Sequence, residues 1–542
     1  MTTVEIAQGQ ADESTSPTPT GWWQRFDRVL ENLGDHLNPI LVKETRQALK
    51  SRQFAVTFGL VLLTSWVWSL MAIYMRYPGI LYSPDGPFLL VGYLDILLFP
   101  LVVIIPFSAF RSLASEREDG TFELLSISTL SPRQIISGKL ISSILQILVY
   151  LSALAPCIGF TYLLRGIDII TIAYVIMLAF LASVLLSAVG LVLACVTQQR
   201  HWQSALSVIV ILLFIFLFFM GLMLVYTLVY DESGWREFDK FDFWLGTIGF
   251  LTAYASYLHL IVAVASAQIT FESENRSARI RVALLIQHFL ALGWIGYVAI
   301  RFPTDIEPFF FMITLLVLHW FVMGSFINGE SAALSPRVRR RIPNYLLDRL
   351  WRNWLIPGPD RGFIFVMTGL ISGVLASLAL AWFDTVTTFS VSDAQRIMVY
   401  GFGLMGYAVC YLAAGRLLVR TMNLIFRADI FVSVITNILL LMGGVMVPLM
   451  FQVLTNRTMD NTFNHWTNPF WFFASSLDKT GFLESPDVVF FAAFLIMLGG
   501  VLMLLNILLG AAELVPGRSK SERDEIEAMP PPPEPLDDPL LS

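Results

Sequence analysis

Apolar residues run through this chain in blocks too long for strands and too continuous for one face of a soluble helix. A helix crossing a bilayer needs about 20 predominantly apolar residues. Twelve segments reach that length: 54–75, 89–110, 138–161, 169–196, 204–230, 243–269, 282–300, 308–327, 363–383, 397–415, 430–453 and 488–512. The alternation of a membrane barrel is absent. In hydrocarbon the backbone must satisfy its own hydrogen bonds, so these blocks predict helices. The block 243–269 is the most diluted, by Tyr254, Tyr257 and His259. The expected fold class is all-α, a polytopic membrane helix bundle of about 12 transmembrane helices.

The polar positions between the blocks orient them. With the N-terminus placed in the cytoplasm, 27 of the 35 Lys and Arg residues fall in cytoplasmic segments and eight outside. This obeys the positive-inside rule and fits an even number of spans, with both the N- and C-termini cytoplasmic. The residues before Phe54 hold no short apolar core ahead of a small-residue cleavage site. No cleavable signal peptide is therefore expected, and insertion rests on Phe54–Met75. The expected location is the plasma (inner) membrane, multi-pass.

Composition agrees. The chain is 56% hydrophobic and 14% charged, with a mean hydropathy of +0.68. Ordinary soluble domains carry about 45–50% apolar and about 25% charged residues. The net charge of −6 argues against nucleic acid as a partner. That acid belongs to the tails: residues 1–20 carry −3 and 513–542 carry −5, which leaves the body at +2. Cys157, Cys195 and Cys410 lie far apart in apolar surroundings and read as small buried hydrophobes.

Four regions are expected. Residues 1–38 form a polar N-terminal tail, and 39–275 a first six-span unit. Residues 276–512 form a second six-span module with a basic cytoplasmic loop at 328–362. Residues 513–542 form an acidic, disordered tail containing Pro530–Pro533.

Two segments carry the candidate chemistry. Asn38 followed by Pro39 is a helix-start signal. From Pro39 the sequence PILVKETRQALK puts Leu41, Thr45, Ala48 and Leu49 on one side, and Lys43, Arg46, Gln47 and Lys50 on the other. Such a helix lies on the cytoplasmic membrane surface, against lipid. It serves as a simple anchor or as an elbow that positions a partner. The second segment is Ser115–Leu140, SEREDGTFELLSISTLSPRQIISGKL, between the second and third spans. Its charged cluster precedes Gly120, a helix breaker. Ser131-Pro132-Arg133-Gln134 then reads as a capping box with Pro at the first helical position. A short helix, a break and a capped re-entry make a rigid joint able to pass force into the spans.

The run Glu116-Arg117-Glu118-Asp119-Gly120-Thr121-Phe122-Glu123-Leu124-Leu125, then Leu130-Ser131-Pro132-Arg133-Gln134-Ile135 and Gly138-Lys139, resembles the signature of ABC-2-type transporter permeases. The opening Asn38-Pro39-Ile40-Leu41-Val42-Lys43-Glu44 is similar to the start of such permeases. The resemblance implies six spans per permease unit, as in 39–275, and a loop that contacts a separate ATP-binding subunit. It implies coupling roles for Glu116, Arg117, Glu118, Gly120, Thr121, Glu123, Pro132, Gly138 and Lys139. Asn38, Pro39, Lys43 and Glu44 would belong to the elbow helix. It also implies a homo- or hetero-dimeric permease, with substrate passing between the spans of two permease units or of this unit and a partner, with ATP used through the partner subunit and no cofactor bound directly. The second six spans lack another E-R-E-x-G-T core.

No ATPase motif accompanies these segments. Gly138-Lys139 is followed by Leu140 and lacks the upstream glycine of a P-loop. Polar residues inside spans are costly and mark function by default. Asp95 is the candidate for the substrate pathway, with a wet vestibule or a helix-to-helix hydrogen bond as the other readings. His259, His288 and His319 fall in three spans without metal-ligand spacing and read as structural. Pro100, Pro106 and Pro156 are expected to kink spans two and three. The outer segments 231–242 and 454–487 read as interfacial aromatic belts. The expected function is the membrane subunit of an ABC-2-type exporter. An ion-driven secondary transporter and an intramembrane lipid-linked transferase are the rival classes.

Overall fold

The computed structural model describes residues 39–121, 130–195, 200–230, 237–271, 273–302, 307–330, 335–339, 353–385, 391–425, 430–455, 465–477 and 486–510. Asn38, Glu123 and both tails lie outside them. The described residues contain helices and turns and no strand. Twelve helices are long and apolar enough to cross a membrane, and together they make the chain a multi-pass helical membrane protein.

Helix α1 (Pro39–Lys50) is amphipathic, with Ile40 and Leu41 buried. The chain breaks at Ser51, whose hydroxyl accepts from Phe54 N at 3.1 Å and so caps α2 (Arg52–Arg76). There follow α3 (Gly86–Glu118), α4 (Pro132–Leu163), α5 (Ile169–Ala194), α6 (Arg200–Tyr230) and α7 (Phe241–Ile269). The diluted sixth block is therefore a continuous helix. Apart from a single helical turn at Pro336–Arg339, the remaining α-helices are α8 (Ser277–Arg301), α9 (Glu307–Ile327), α10 (Pro359–Thr385), α11 (Val391–Met422), α12 (Ile430–Thr455), α13 (Pro469–Leu477) and α14 (Pro486–Leu509). All but α1 and the short α13 qualify as spans.

The chain forms two compact units. Unit 1 runs to Leu245 and includes Val264–Ile269, while unit 2 takes Gly246–Ala263 and the chain from Thr270 onward. In unit 1, α1 lies against α4, and the second half of α3 packs on α5. Leu63, Trp66 and Leu70 of α2, and Leu212, Phe216 and Met223 of α6, are exposed. A helix apolar on its outward face as well as its inward one suits a hydrocarbon solvent. In unit 2, α11 and α14 form the most extensive helix pair, and α9 packs on α10 and α11.

Span two is one helix with a fault. Pro100–Ile104 forms a π-helical turn between two α-helical stretches. Proline removes a backbone donor there, and π turns relax the ladder that results. The Ser183 hydroxyl of α5 donates to the Leu101 carbonyl at 2.6 Å. Four residues beyond the turn's first half, α5 comes so close that a Cβ on Gly190 would sit 2.8 Å from the Pro106 carbonyl. Pro156 lies within α4, which continues through it.

Candidate functional site

The second half of α3 ends at Glu118, with Asp119 and the positive-φ Gly120 (φ 71°) closing it. Glycine adopts this left-handed conformation without the steric cost that a Cβ brings. Thr121 Oγ1 donates to the Glu116 carbonyl at 3.2 Å and fixes the turn. The chain returns at Ser131. Its hydroxyl accepts from Gln134 N at 3.3 Å, while Gln134 Oε1 accepts from Ser131 N at 2.9 Å. This is the capping box read in the sequence, with Pro132 opening α4. Gly138 and Lys139 are buried two turns further on.

Three motifs distant in sequence meet at Lys139. Its ammonium donates to Glu44 Oε1 of α1 at 2.9 Å and to the Ser112 carbonyl of α3 at 3.4 Å. It also forms an ion pair with Glu116 Oε2 at 3.1 Å. The Lys139 side chain is 1% exposed. Lys43, on the exposed side of α1, approaches Glu116 Oε1 at 3.7 Å. One buried cation therefore ties the elbow helix, the end of span two and the start of span three.

The other charges of the run hold the same joint from outside. Arg111 Nη1 donates to Glu118 Oε1 at 3.2 Å. Arg117 Nη1 donates to the Cys195 carbonyl at 3.0 Å, at the end of α5. Gln203 of α6 donates to the Ala114 carbonyl at 3.1 Å. Reading the sequence did not single out Ser112, Cys195 or Gln203 as partners. Asp119, Gly120 and Thr121 are exposed at the tip of this joint.

Asp95 lies elsewhere. It is half-buried on α3, and its Oδ1 is buried with no hydrogen-bond partner among the described residues. At about 1.5 Å of rise per residue it stands roughly 30 Å from Glu116 along the same helix. The π turn lies between them.

Two of the span histidines meet at Trp320 and the third stands apart. His259 is exposed. Trp320 Nε1 donates to His288 Nδ1 at 3.3 Å, and Tyr257 OH meets His319 Nδ1 at 2.9 Å. Both rings also pack on Trp320, at 5.6 Å. No cluster of three His, Cys, Asp or Glu among the described residues is arranged for a metal ion. In the segment 465–477, His465 stacks on Trp471 at 5.3 Å, and Asn468 caps α13 by accepting from Phe470 N at 3.0 Å and Trp471 N at 3.2 Å.

Residues 76–238, wholly within unit 1, match the family model described as ABC-2 family transporter protein. The match takes in Glu116 and Lys139 and begins after the elbow. No curated protein and no solved structure matches the chain.

Proposed function

We propose, from the match of residues 76–238 to the family model described as ABC-2 family transporter protein, that this chain is the permease subunit of an ABC-2-type exporter driven by a separate ATP-binding subunit. The observation that carries the reading is the buried Lys139, which joins Glu44, Glu116 and Ser112. Burying an ion pair rarely adds net stability, yet removing one partner is costly. Such a tie makes α1, α3 and α4 move together.

The coupling face is the tip at Asp119, Gly120 and Thr121, with Glu118 beside it; Glu123 and Asn38, which the sequence also assigns to the coupling segments, lie outside the described residues. ATP binding in the partner pushes on this tip. Lys139 passes the displacement to the elbow, through Pro39, Lys43 and Glu44, and to spans two and three. The π turn at Pro100–Ile104 is where span two yields, so its inner and outer halves can tilt separately. Asp95 sits on the far half and meets the substrate there. The distribution of basic residues supports a cytoplasmic side for this joint and for both termini, in a plasma (inner) membrane.

The test is isolation of the tagged chain with its native associates. An ATP-binding subunit is expected in the complex, and Glu118→Lys or Gly120→Pro lowers its retention. If none is retained, and Glu118→Lys leaves transport intact, the reading fails. An ion-driven transporter would instead keep its activity when ATP is depleted.

A further inference from the structure

Asp95 shares one side of α3 with Phe88, Gly92 and Phe99, which stand at i−7, i−3 and i+4 from it. The other side of the helix, with Leu90, Tyr93, Leu97 and Leu101, is buried. The Asp95 side is more open: Phe88, Gly92 and Asp95 are half-buried, and Phe99 is 44% exposed.

Aromatic rings flank the carboxylate along this side. One turn toward Gly86, the Trp68 indole of α2 lies on Gly92, where any Cβ would collide with it. Trp68 Nε1 donates to the Leu89 carbonyl at 3.2 Å, and its ring packs on Phe88 at 5.3 Å. One turn toward Glu118, Phe99 meets Phe218 of α6 edge to face at 5.5 Å. Asp95 therefore stands between a contact of α3 with α2 and a contact of α3 with α6.

The carboxylate lacks a countercharge. Asp95 Oδ1 is buried without a hydrogen-bond partner, and no cation among the described residues pairs with Asp95. The nearest turn of the same aromatic face already holds a cation: Arg76 lies over the Phe88 ring at 4.2 Å and pairs with Asp85 at 3.6 Å. An ionised carboxylate in apolar surroundings is costly until an opposite charge joins it. Ring faces attract a cation within about 6 Å, and one helical turn is about 5.4 Å. A neutral hydroxyl would donate to the acceptor but leave its charge uncompensated and gain nothing from the rings. Asp95 also lies nine residues into α3, about 14 Å along the axis. That is deeper than an interfacial layer of about 5–8 Å, so the group that reaches it needs an apolar body behind its charge.

We propose that Asp95, with Trp68 on one side and Phe99 and Phe218 on the other, binds an amphipathic cation: an ammonium group carried on an apolar body. This rests on the reading of Asp95 as the residue that meets the substrate and narrows the substrate to that class. The carboxylate supplies the countercharge, and the rings supply walls that exclude water and attract the cation.

The probe is radiolabelled dodecyltrimethylammonium, with dodecanol of the same chain length as its neutral counterpart. Each is titrated against the tagged chain and its native associates in phosphatidylglycerol nanodiscs, which contain no ammonium lipid. Empty discs supply the background. Asp95→Asn, close to the native residue in size and shape, should weaken binding of the cation about tenfold and leave the alcohol unchanged. Phe99→Leu should weaken the cation several-fold and again spare the alcohol. Absence of saturable cation binding, or equal cation affinity in the native and Asp95→Asn chains, overturns the proposal. So does a fall for the alcohol as large as that for the cation, which would make Asp95 a plain hydrogen-bonding group. The same preparation reports separately on the permease reading. A chain that retains an ATP-binding subunit but shows no dependence of cation binding on Asp95 loses only the cation site. A chain that retains no such subunit loses the permease reading, whatever it binds.

Discussion

Lys139 and Glu44 are 95 residues apart in sequence and 2.9 Å apart in the fold, at the base of the third span. Replacing Lys139 by Met leaves Glu44 and Glu116 facing each other without their cation. Breaking a buried pair from one side costs about 3–5 kcal/mol. Adding Glu44→Gln and Glu116→Gln to Lys139→Met should return part of that loss. Denaturant titration of the four combinations in detergent measures the coupling, expected at about 0.5–3 kcal/mol. Strict additivity would mean that the three residues do not share one site.

Gly120 offers a separation of stability from coupling. Its φ of 71° strains any residue with a Cβ, although the space around it is open. The local cost of Gly120→Ala is about 1–2 kcal/mol. The residue is exposed at the tip of the joint, so this strain deforms the turn without unfolding the spans. Retention of the ATP-binding subunit should fall several-fold while the unfolding transition of the chain stays in place. A Gly120→Ala chain that retains the subunit fully would remove the tip from the coupling face.

The spans were legible because a bilayer demands long apolar runs, and the signal is in composition alone. All twelve blocks correspond to helices. The joint was legible in parts: Ser131 and Gln134 announce a capping box locally, and Gly120 announces a break. Their union was not legible. Glu44, Glu116 and Lys139 belong to three different stretches, and no local rule says that one cation serves both acids. The rings around Asp95 were half legible. The i, i+4 spacing places Phe99 on its side of the helix, but nothing local brings Trp68 of α2 onto Gly92 or Phe218 of α6 onto Phe99. The π turn is also invisible to hydropathy, since Pro100 could equally have kinked an α-helix.

Ser183 tests the fault in span two. Its hydroxyl donates to the Leu101 carbonyl at 2.6 Å, inside the π turn. Ser183→Ala leaves that carbonyl short of a donor, at a cost of about 1–3 kcal/mol. The joint at Lys139 is untouched by the change. The expected outcome is normal retention of the ATP-binding subunit with a lowered transport rate per ATP hydrolysed. Wild-type coupling in Ser183→Ala would show that the turn does not take part in the motion.

His465 gives the segment 465–477 a pH dependence. The imidazole is buried against Trp471, and its Nδ1 has no hydrogen-bond partner among the described residues. Burial lowers its pKa below the ordinary histidine value. The unfolded segment therefore binds a proton at a higher pH than the folded one. Stability is intact above the ordinary pKa of about 6.5 and is lost as pH falls below it toward the folded value. Tyr407 OH donates to the Trp466 carbonyl at 2.9 Å, and Thr467 Oγ1 to the Gly444 carbonyl at 2.8 Å, so loosening His465 loosens the anchors of this segment on α11 and α12. Proteolytic nicking between 465 and 477 should be faster at pH 5.5 than at pH 7.5, after normalisation to a cleavage site elsewhere in the chain. His465→Gln cannot take up the proton and should show equal rates at both pH values. Acceleration of the same size in His465→Gln would assign the effect to another group.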